Sequence, residues 1–303
     1  MNSGILCVDK PRGLTSHDVV DVVRRLVGQR SVGHTGTLDP DASGLMLLCI
    51  GRATKFARYF EGLNKTYWTV MQLGKCTDTQ DATGQVTSQH AVPSLSPQHV
   101  KDVLLLFTGA VMQTPPMYSA LKYRGKRLYK LARRGQTVAR QPRQVYIQQC
   151  KLLDLRGVQV TLNMTCSKGT YIRTLCEDIG LALGYGAHMV HLQRCAIGTF
   201  YLKQAYTLND LKRLAQRGSL QERFIPLAQA LDFLPLLSLN SQQCHILQKK
   251  QGRALSEILA ALPESAKKAE SYRLCTEKRE TFAVIHRHTT NHNGWKLSYL
   301  EIP

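Results

Sequence analysis

The sequence predicts an α+β protein with a mixed, largely antiparallel sheet flanked by helices and a small β-rich domain at the C-terminus. Runs with strand character and runs with helical periodicity alternate without a fixed repeat, and most predicted strand pairs have short connections. From about Leu236 the chain changes to short strand-like runs. We place the boundary near residues 234–235, which gives a large domain over 1–234 and a small one over 235–303.

Local start and stop signals define the elements up to residue 50. A strand is predicted over residues 4–8, and it ends at the Asp-Lys-Pro turn of residues 9–11. Residues 15–18 (TSHD) fit a capping box, after which apolar residues recur at helical spacing until Gly28. The run 45–50 (LMLLCI) is apolar throughout, which predicts a fully buried strand.

The remaining elements follow from the same kinds of signal. Ser96 followed by Pro97 starts a helix, because Ser caps a helix and Pro suits its first position. The predicted helices cover 54–63, 97–107, 171–183 and 241–250, the last ended by Gly252. The predicted strands cover 67–73, the surroundings of Val86 after a turn at 78–84, 145–155 and 158–166 with a break near Gly157, 188–202, the surroundings of Tyr272, 282–286 and 295–299.

Composition excludes several classes of protein. With 303 residues and 43% apolar content, the chain can bury a sizeable core. No apolar run approaches the roughly 20 residues that span a bilayer, and the N-terminus resembles neither a signal nor a transit peptide, so we expect a cytoplasmic protein without a membrane partner. The nine cysteines are scattered without a C-x-x-C pair, which favours reduced core thiols over disulfides or a metal site.

The net charge of +19 indicates a polyanionic partner, most plausibly nucleic acid. The segment 113–143 concentrates this charge and interleaves it with tyrosines. A solvated charged hairpin is one interpretation, and a nucleic-acid clamp that orders on contact is the other. The part from Arg127 to Arg134 could form one basic helix. The candidate clamp residues are Lys122, Tyr123, Lys126, Arg127, Lys130, Arg133 and Arg134.

Residues 33–44 (GHTGTLDPDASG) form the most unusual segment of the chain. Their content of Gly, Thr and Ser is incompatible with a helix or a central strand, and Pro40 restricts Asp39 to extended geometry. A surface turn explains this composition. A functional loop explains it too, because the loop leads directly into the buried run 45–50, and functional residues tend to lie on loops anchored to rigid elements.

Four segments, in order and at similar spacing, resemble the TruB family of tRNA pseudouridine synthases. The segments are GILCVDKPRGLTSHDVV, GHTGTLDPDASGLMLLCIGRATKF, PPMYSALKYRGKRLYKLAR, and CSKGTYIRTLCEDIG followed by GAHMVHLQRCAIG. The resemblance covers roughly residues 4–215. It implies a pseudouridine-synthase-like catalytic domain that isomerises the T-loop uridine 55 of tRNA to pseudouridine without cofactor or metal. The tail only loosely resembles the PUA-like C-terminal domain of bacterial members.

The resemblance also implies roles for single residues. Asp39 matches the catalytic aspartate, which attacks either the sugar C1′ or the base C6, and Arg173 matches its ion-pair partner. Tyr67 matches the tyrosine that stacks on the target base. His34 matches the residue that fills the space of the extruded nucleotide. The supporting matches are Tyr171 and Leu192 at the uracil pocket and Lys10 and Pro11 in a turn near the site.

Asp41 departs from the family pattern, because it adds a carboxylate two residues after Asp39. We expect Asp39 to react, since it alone precedes the proline as the motif requires. Three functions stay open: a stand-alone, monomeric synthase that grips the T arm of tRNA, an RNA-binding tRNA folding factor, and a guide-RNA-dependent relative. The basic segment 113–143 favours recognition without a protein partner.

Overall fold

The computed structural model describes residues 3–245, 247, 269–276, 281–287 and 295–299. The strands are β1 (Gly4–Lys10), β2 (Val32–His34), β3 (Ser43–Ile50), β4 (Lys65–Leu73), β5 (Lys75–Thr77), β6 (Val86–Gln89), β7 (Gly109–Gln113), β8 (Lys122–Tyr123), β9 (Lys126–Arg127), β10 (Arg143–Arg156), β11 (Gln159–Cys166), β12 (Ala187–Ile197), β13 (Phe200–Tyr201), β14 (Tyr206–Thr207), β15 (Leu236–Ser238), β16 (Ser271–Cys275), β17 (Thr281–Arg287) and β18 (Trp295–Tyr299). The α-helices before residue 235 are α1 (Ser16–Val27), α2 (Ala57–Glu61), α3 (Pro97–Leu106), α4 (Leu128–Ala132), α5 (Ile172–Ala182), α6 (Leu208–Gln216) and α7 (Leu227–Ala230).

One large mixed sheet organises residues 4–207. Its strand order is β14-β1-β3-β12-β4-β11-β10-β7, with β2 paired to β3 and β13 paired to β12. The pairs β1–β14 and β3–β12 are parallel, and the other pairs in this sheet are antiparallel. A second sheet has the order β15-β16-β17-β18. The predicted α+β class, with a largely antiparallel mixed sheet and a small second sheet, is therefore confirmed.

The large sheet carries a core on each face. On one face, Val8 and Met46 pack with the apolar sides of α1, α3 and α5. On the other face, Leu45 and Leu47 pack with Phe56, with neighbouring aromatic residues and with Val284 of β17. Because both faces of β3 are covered, its sequence is apolar at consecutive positions and does not alternate. Strand β4, in contrast, alternates buried and half-buried residues.

The helix boundaries match their sequence signals closely. Thr15 and Asp18 form the predicted capping box of α1, and Gly28 ends that helix in the left-handed conformation at φ 65°. Ser96 caps α3 with Pro97 at its start. The helix predicted over 54–63 divides into a 3-10 turn, Gly51–Phe56, and α2. The predicted starts of α1 and α3 are confirmed, because capping depends on contacts between residues close in sequence.

Three predictions need correction. The run 188–202 is not one strand, because a turn at Gly198 separates β12 from β13. The basic segment from Arg127 to Arg134 is not one helix, because the hairpin β8–β9 precedes α4 and α4 has only 5 residues. Residues 33–44 do not lie wholly outside strands, because they begin in β2 and end in β3 near the middle of the sheet.

The C-terminal predictions agree with the structure where it describes them. Strands occur at all three predicted places, as β16, β17 and β18. Residues 241–245 are helical, while Lys250 and Gly252, the predicted end of that helix, lie outside the described residues. In the described part of the chain, no helix is both long and apolar enough to cross a bilayer.

Candidate active site

A buried lysine binds the backbone of the loop of residues 35–42. The Nζ of Lys10, at the end of β1, donates to the carbonyl oxygens of Pro11, Pro40 and Ala42 at 2.8, 2.9 and 2.7 Å. The Lys10 side chain is fully buried, and this burial lowers its pKa to about 8 against the opposing charges of Asp41 and Asp39. Lys10 therefore ties the backbone that directly follows Asp39 to the end of β1.

Helix α1 holds the same loop from the other side. The Ser16 hydroxyl accepts from the Leu38 backbone N–H at 2.8 Å and donates to the Leu38 carbonyl at 3.0 Å. Both residues are buried. Asp39, the next residue, therefore leaves the core from a backbone that is fixed on two sides.

The Asp39 carboxylate forms an ion pair with Arg173, as the family resemblance implied. The Nε of Arg173 lies 2.9 Å from Oδ2, and Nη2 lies 3.5 Å from Oδ1. The Asp39 side chain is 40% exposed, whereas the Arg173 side chain is only 7% exposed. The geometry presents one edge of the carboxylate to solvent while the guanidinium stays inside the protein.

Arg173 occupies the first turn of α5, where the helix dipole disfavours a cation. Its other contacts compensate for that position. Nη1 donates to the Thr79 carbonyl at 2.9 Å and lies 3.4 Å from the Asp81 carboxylate, and Nη2 donates to the Tyr118 carbonyl at 2.9 Å. Arg173 thus connects the loop of residues 35–42, the 78–84 turn and the start of the basic segment.

Asp81 and Gln80 are site residues that the sequence reasoning missed. Asp81 Oδ1 accepts from the hydroxyls of Thr79 and Thr83, while its Oδ2 faces Arg173. Gln80 adopts φ 63° and accepts from the Thr174 hydroxyl at 2.7 Å. The turn composition of 78–84 was the available signal, but nothing local to it indicates a contact with residue 173.

Competing influences set the protonation of Asp39. Burial raises the pKa of this carboxyl above its ordinary value of 3.8, and the Asp81 carboxylate adds to that effect. Arg173 and Lys10 act in the opposite direction, because positive charge stabilises the ionised form. The net pKa is raised.

Tyr67 and Leu192 belong to the same apolar core as Leu38, on the face of the sheet that α1, α3 and α5 cover. Tyr67 is 8% exposed, and burial raises the pKa of its phenol, so the hydroxyl is protonated at neutral pH.

His34 ends β2, and its Nδ1 accepts from the Gly36 N–H at 3.2 Å. Burial lowers the pKa of His34, which favours the neutral imidazole.

Tyr171 precedes α5 at the edge of the site. The Gln113 side chain accepts from its N–H at 2.8 Å and donates to its carbonyl at 3.0 Å. The Arg143 guanidinium lies over the Tyr171 ring, 5.0 Å from the centroid. Both ends of the basic segment 113–143 are therefore anchored beside the start of α5.

The basic segment has exposed charge around a very small core. Its own buried residues are Met117, Ser119, Leu128 and Leu131, together with the anchor Gln113 and residues 115–116 at its start. Every candidate clamp residue is exposed. A cavity of about 390 Å³ is lined by Lys122, Gly125, Lys126, Arg127, Lys130, Leu131 and Arg134. An open, cationic cavity of this kind suits a phosphate group.

The described ranges contain no group of three His, Cys, Asp or Glu side chains that could hold a metal ion. The chemistry available at the site is that of one paired, partly exposed carboxylate, a buried phenol and a nearby cationic surface. Together with the mixed sheet that carries them, these groups form a candidate active site whose carboxylate is available as a nucleophile.

The chain belongs to the TruB family. The model for the N-terminal domain of TruB family pseudouridylate synthases matches residues 24–172, and the tRNA pseudouridylate synthase B C-terminal domain matches 173–232. The tRNA pseudouridine synthase B of Stutzerimonas stutzeri is 46% identical over 246 residues, covering 80% of each chain. That of Geobacillus thermodenitrificans is 41% identical over 292 residues, covering 94% of this chain and 95% of the relative.

Solved structures share the fold at lower identity. A chain of a Cbf5–Nop10–Gar1 complex aligns with a TM-score of 0.72 at 23% identity, covering 99% of this chain and 85% of that one. A chain of the archaeal box H/ACA Nop10–Cbf5 complex aligns with a TM-score of 0.66 at 21% identity.

Proposed function

We propose that this enzyme converts uridine 55 in the T loop of tRNA to pseudouridine by covalent catalysis through Asp39. It acts in the cytoplasm as a stand-alone monomer and needs no cofactor. The similarity to proteins named tRNA pseudouridine synthase B supports tRNA as the substrate. The observation that carries the proposal is the paired geometry of Asp39, whose carboxylate contacts Arg173 at 2.9 Å and remains 40% exposed.

The reaction requires an oxygen nucleophile that can later leave. The ionised Asp39 carboxylate attacks C1′ of the ribose or C6 of the base, and the N1–C1′ bond breaks. The detached uracil turns so that C5 faces C1′, and a C5–C1′ bond forms. If Asp39 attacked C1′, the carboxylate leaves C1′ as C5 bonds to it; if Asp39 attacked C6, the carboxylate leaves C6 as C5 loses its proton. In both cases the C5 proton passes to solvent or a nearby base, N1 gains a proton, and Asp39 is restored. No atoms other than protons are exchanged.

We assign the surrounding residues the roles that the family resemblance implies. Arg173 keeps Asp39 ionised and oriented, and Tyr67 stacks on the base with its phenol protonated. The neutral His34 fills the space that the extruded nucleotide leaves, because a base that reacts must first leave its stack. Leu192 and Tyr171 line the uracil pocket.

The basic segment supplies affinity for the T arm. Its exposed cations pair with phosphates, and its tyrosines offer faces for bases. The Tyr118 carbonyl accepts from Arg173, so the segment that grips RNA is hydrogen-bonded to the group that orients the nucleophile.

The test is tritium release from 5-tritiated uridine in tRNA by the Asp39→Asn variant. We expect product formation to be abolished while tRNA binding stays near the wild-type level, because phosphate contacts supply most of the affinity. Asp41→Asn is the matched control, since Asp41 is exposed and lies two residues away. Tritium release by Asp39→Asn would refute the assignment of the nucleophile.

A minimal T-arm hairpin separates this function from its alternatives. Purified wild-type protein is expected to release tritium from that hairpin without added RNA or protein. Inactivity on the hairpin would favour a guide-RNA-dependent relative. Restoration of tRNA folding by Asp39→Asn would add a folding-factor role beside catalysis.

A further inference from the structure

Arg194 is not among the site residues expected from the sequence, yet its guanidinium binds the backbone on both sides of Asp39. Arg194 is 1% exposed. It belongs to β12, the strand between β3 and β4, and pairs with Gly44 on one side and Tyr67 on the other. One residue therefore adjoins both the strand that begins at the loop of residues 35–42 and the strand that carries the phenol.

The Arg194 side chain binds the backbone on both sides of Asp39. Its Nε donates to the carbonyl of Leu45 in β3 at 2.7 Å, and Nη2 donates to the Gly36 carbonyl at 3.0 Å. Gly36 precedes Asp39 by three positions and Leu45 follows it by six. Because the guanidinium is planar and its donors are fixed relative to one another, these two bonds set the separation of Gly36 from Leu45.

The charge of Arg194 is not neutralised by a carboxylate in the described part of the chain, where its hydrogen-bond acceptors are backbone carbonyls. Its positive charge lowers the pKa of Lys10, Lys65 and His34. Burying a cation without a counter-ion is costly, so packing alone does not explain an arginine at this position.

The sheet register places Arg194 opposite Tyr67. The positive charge of Arg194 opposes the larger effect of burial on the pKa of the Tyr67 phenol. Arg194 thus acts on Tyr67 through its charge, while its donors bind the backbone carbonyls of Gly36 and Leu45.

We propose that Arg194 is a positioning residue for the isomerisation, which holds the backbone on both sides of Asp39 through the carbonyls of Gly36 and Leu45. This inference rests on the proposed function, because it takes Asp39 as the reacting group. Arg194 itself does not touch the substrate, since its side chain is enclosed under the loop.

The test compares Arg194→Met with Lys65→Met. Lys65 is the matched control, because it is also a buried cation near the loop but donates to the carbonyls of Glu61 and Leu63 at the end of α2. We expect Arg194→Met to lower the single-turnover rate about 10²-fold, with the dissociation constant for tRNA within about threefold of wild type. We expect Lys65→Met to lower thermal stability but to keep the single-turnover rate within about threefold.

Arg194→Lys keeps the inference testable if the methionine variant fails to fold. Lysine preserves the buried charge, but its single ammonium group lacks the fixed fork that binds both carbonyls. We expect its single-turnover rate to fall about tenfold with tRNA binding unchanged. A wild-type rate in either folded Arg194 variant would overturn the inference. So would an equal rate loss in Lys65→Met at equal thermal stability.

Parallel assays separate this inference from the proposed function. If wild-type protein is inactive or Asp39→Asn is active, the proposed function fails. If wild-type protein is active, Asp39→Asn is inactive and Arg194→Met reacts like wild type, only the role of Arg194 fails.

Discussion

The loop of residues 35–42, which carries Asp39, and the basic segment 113–143 are both polar, but they are built in opposite ways. Asp39 lies in a loop whose backbone is bound by the buried side chains of Lys10, Ser16 and Arg194. The basic segment 113–143 has a small core of its own centred on Met117, Leu128 and Leu131, and all its candidate clamp residues are exposed.

The proposed function gives a physical reason for this contrast, because catalysis and phosphate binding make different demands on the backbone. Chemistry at C1′ or C6 needs the carboxylate in place before the substrate arrives, because reorganisation during the reaction raises the barrier. Phosphate binding is electrostatic and tolerates variation in side-chain position. The protein therefore places buried hydrogen bonds under the loop and exposed charge in the segment.

The largest expected effect comes from breaking the ion pair of the loop. Arg173→Met removes the group that orients and ionises Asp39, and we expect the single-turnover rate to fall by about 10²-fold or more. Binding of tRNA should change little, because Arg173 is only 7% exposed. Lys212→Met, which removes an exposed cation from α6, is the control and should react like wild type. A large loss of affinity without a loss of rate would contradict this prediction.

Substitution of Gly44, which follows the Asp39 loop, and of Gly135, in the basic segment, compares how tightly the two backbones are packed. A Cβ on Gly44, at φ +105°, would lie 2.4 Å from the Arg194 carbonyl oxygen, whereas one on Gly135, at φ +69°, meets nothing within 4 Å. We expect Gly44→Ala to cost about 3 kcal/mol or more of unfolding free energy, from backbone strain and overpacking. Gly135→Ala should cost only about 1 kcal/mol. Urea unfolding of both variants measures this difference, and equal costs would contradict it.

Neutralising the segment should weaken binding without affecting chemistry. The double variant Lys126→Ala, Lys130→Ala removes two exposed cations from the lining of the cationic cavity. We expect a roughly tenfold weaker affinity for T-arm RNA and a salt slope lower by about one per lysine. The single-turnover rate at saturation should stay unchanged. The control is Lys101→Ala, Lys212→Ala, because both lysines are exposed and lie outside the segment.

The smallest expected effect concerns pH. The carboxylate reacts only when ionised, and its pKa is raised above 3.8, so the single-turnover rate should fall with acid at a pH above that value. The Asp81 charge contributes to the raised pKa of Asp39. In Asp81→Asn the acid limb should therefore move to lower pH. A pH–rate profile of both proteins measures this shift, and a shift to higher pH would contradict the assignment.

The sequence predicted the parts of the fold that depend on neighbours in the chain. The capping box of Thr15 and Asp18, the Ser96–Pro97 start and the αL glycine at residue 28 are all encoded within a few residues. The helix expected over Arg127–Arg134 was too long, because Arg127 belongs to the hairpin β8–β9 and α4 ends at Ala132.

The site was predictable only where the family resemblance supplied long-range information. The contact of Asp39 with Arg173 came from that resemblance, and no periodicity indicates it. Asp81 and Arg194 were missed because their partners are distant in sequence. The one local signal for Arg194 was a charged residue inside a largely apolar predicted strand, between Leu192 and Ile197. Such a residue is rarely buried without a specific partner.

The position of Arg194 in the chain also governs when the site can form. The bond from Arg194 to Leu45 spans 149 residues, and the contact of Arg173 with Asp39 spans 134. At translation rates of about 5–20 residues per second, roughly 8–31 seconds separate the synthesis of Asp39 from that of Arg194. The growing chain therefore carries Asp39 on a loop that Lys10 and Ser16 can already bind but that lacks both arginines, and the full set of contacts forms only after β12 inserts between β3 and β4.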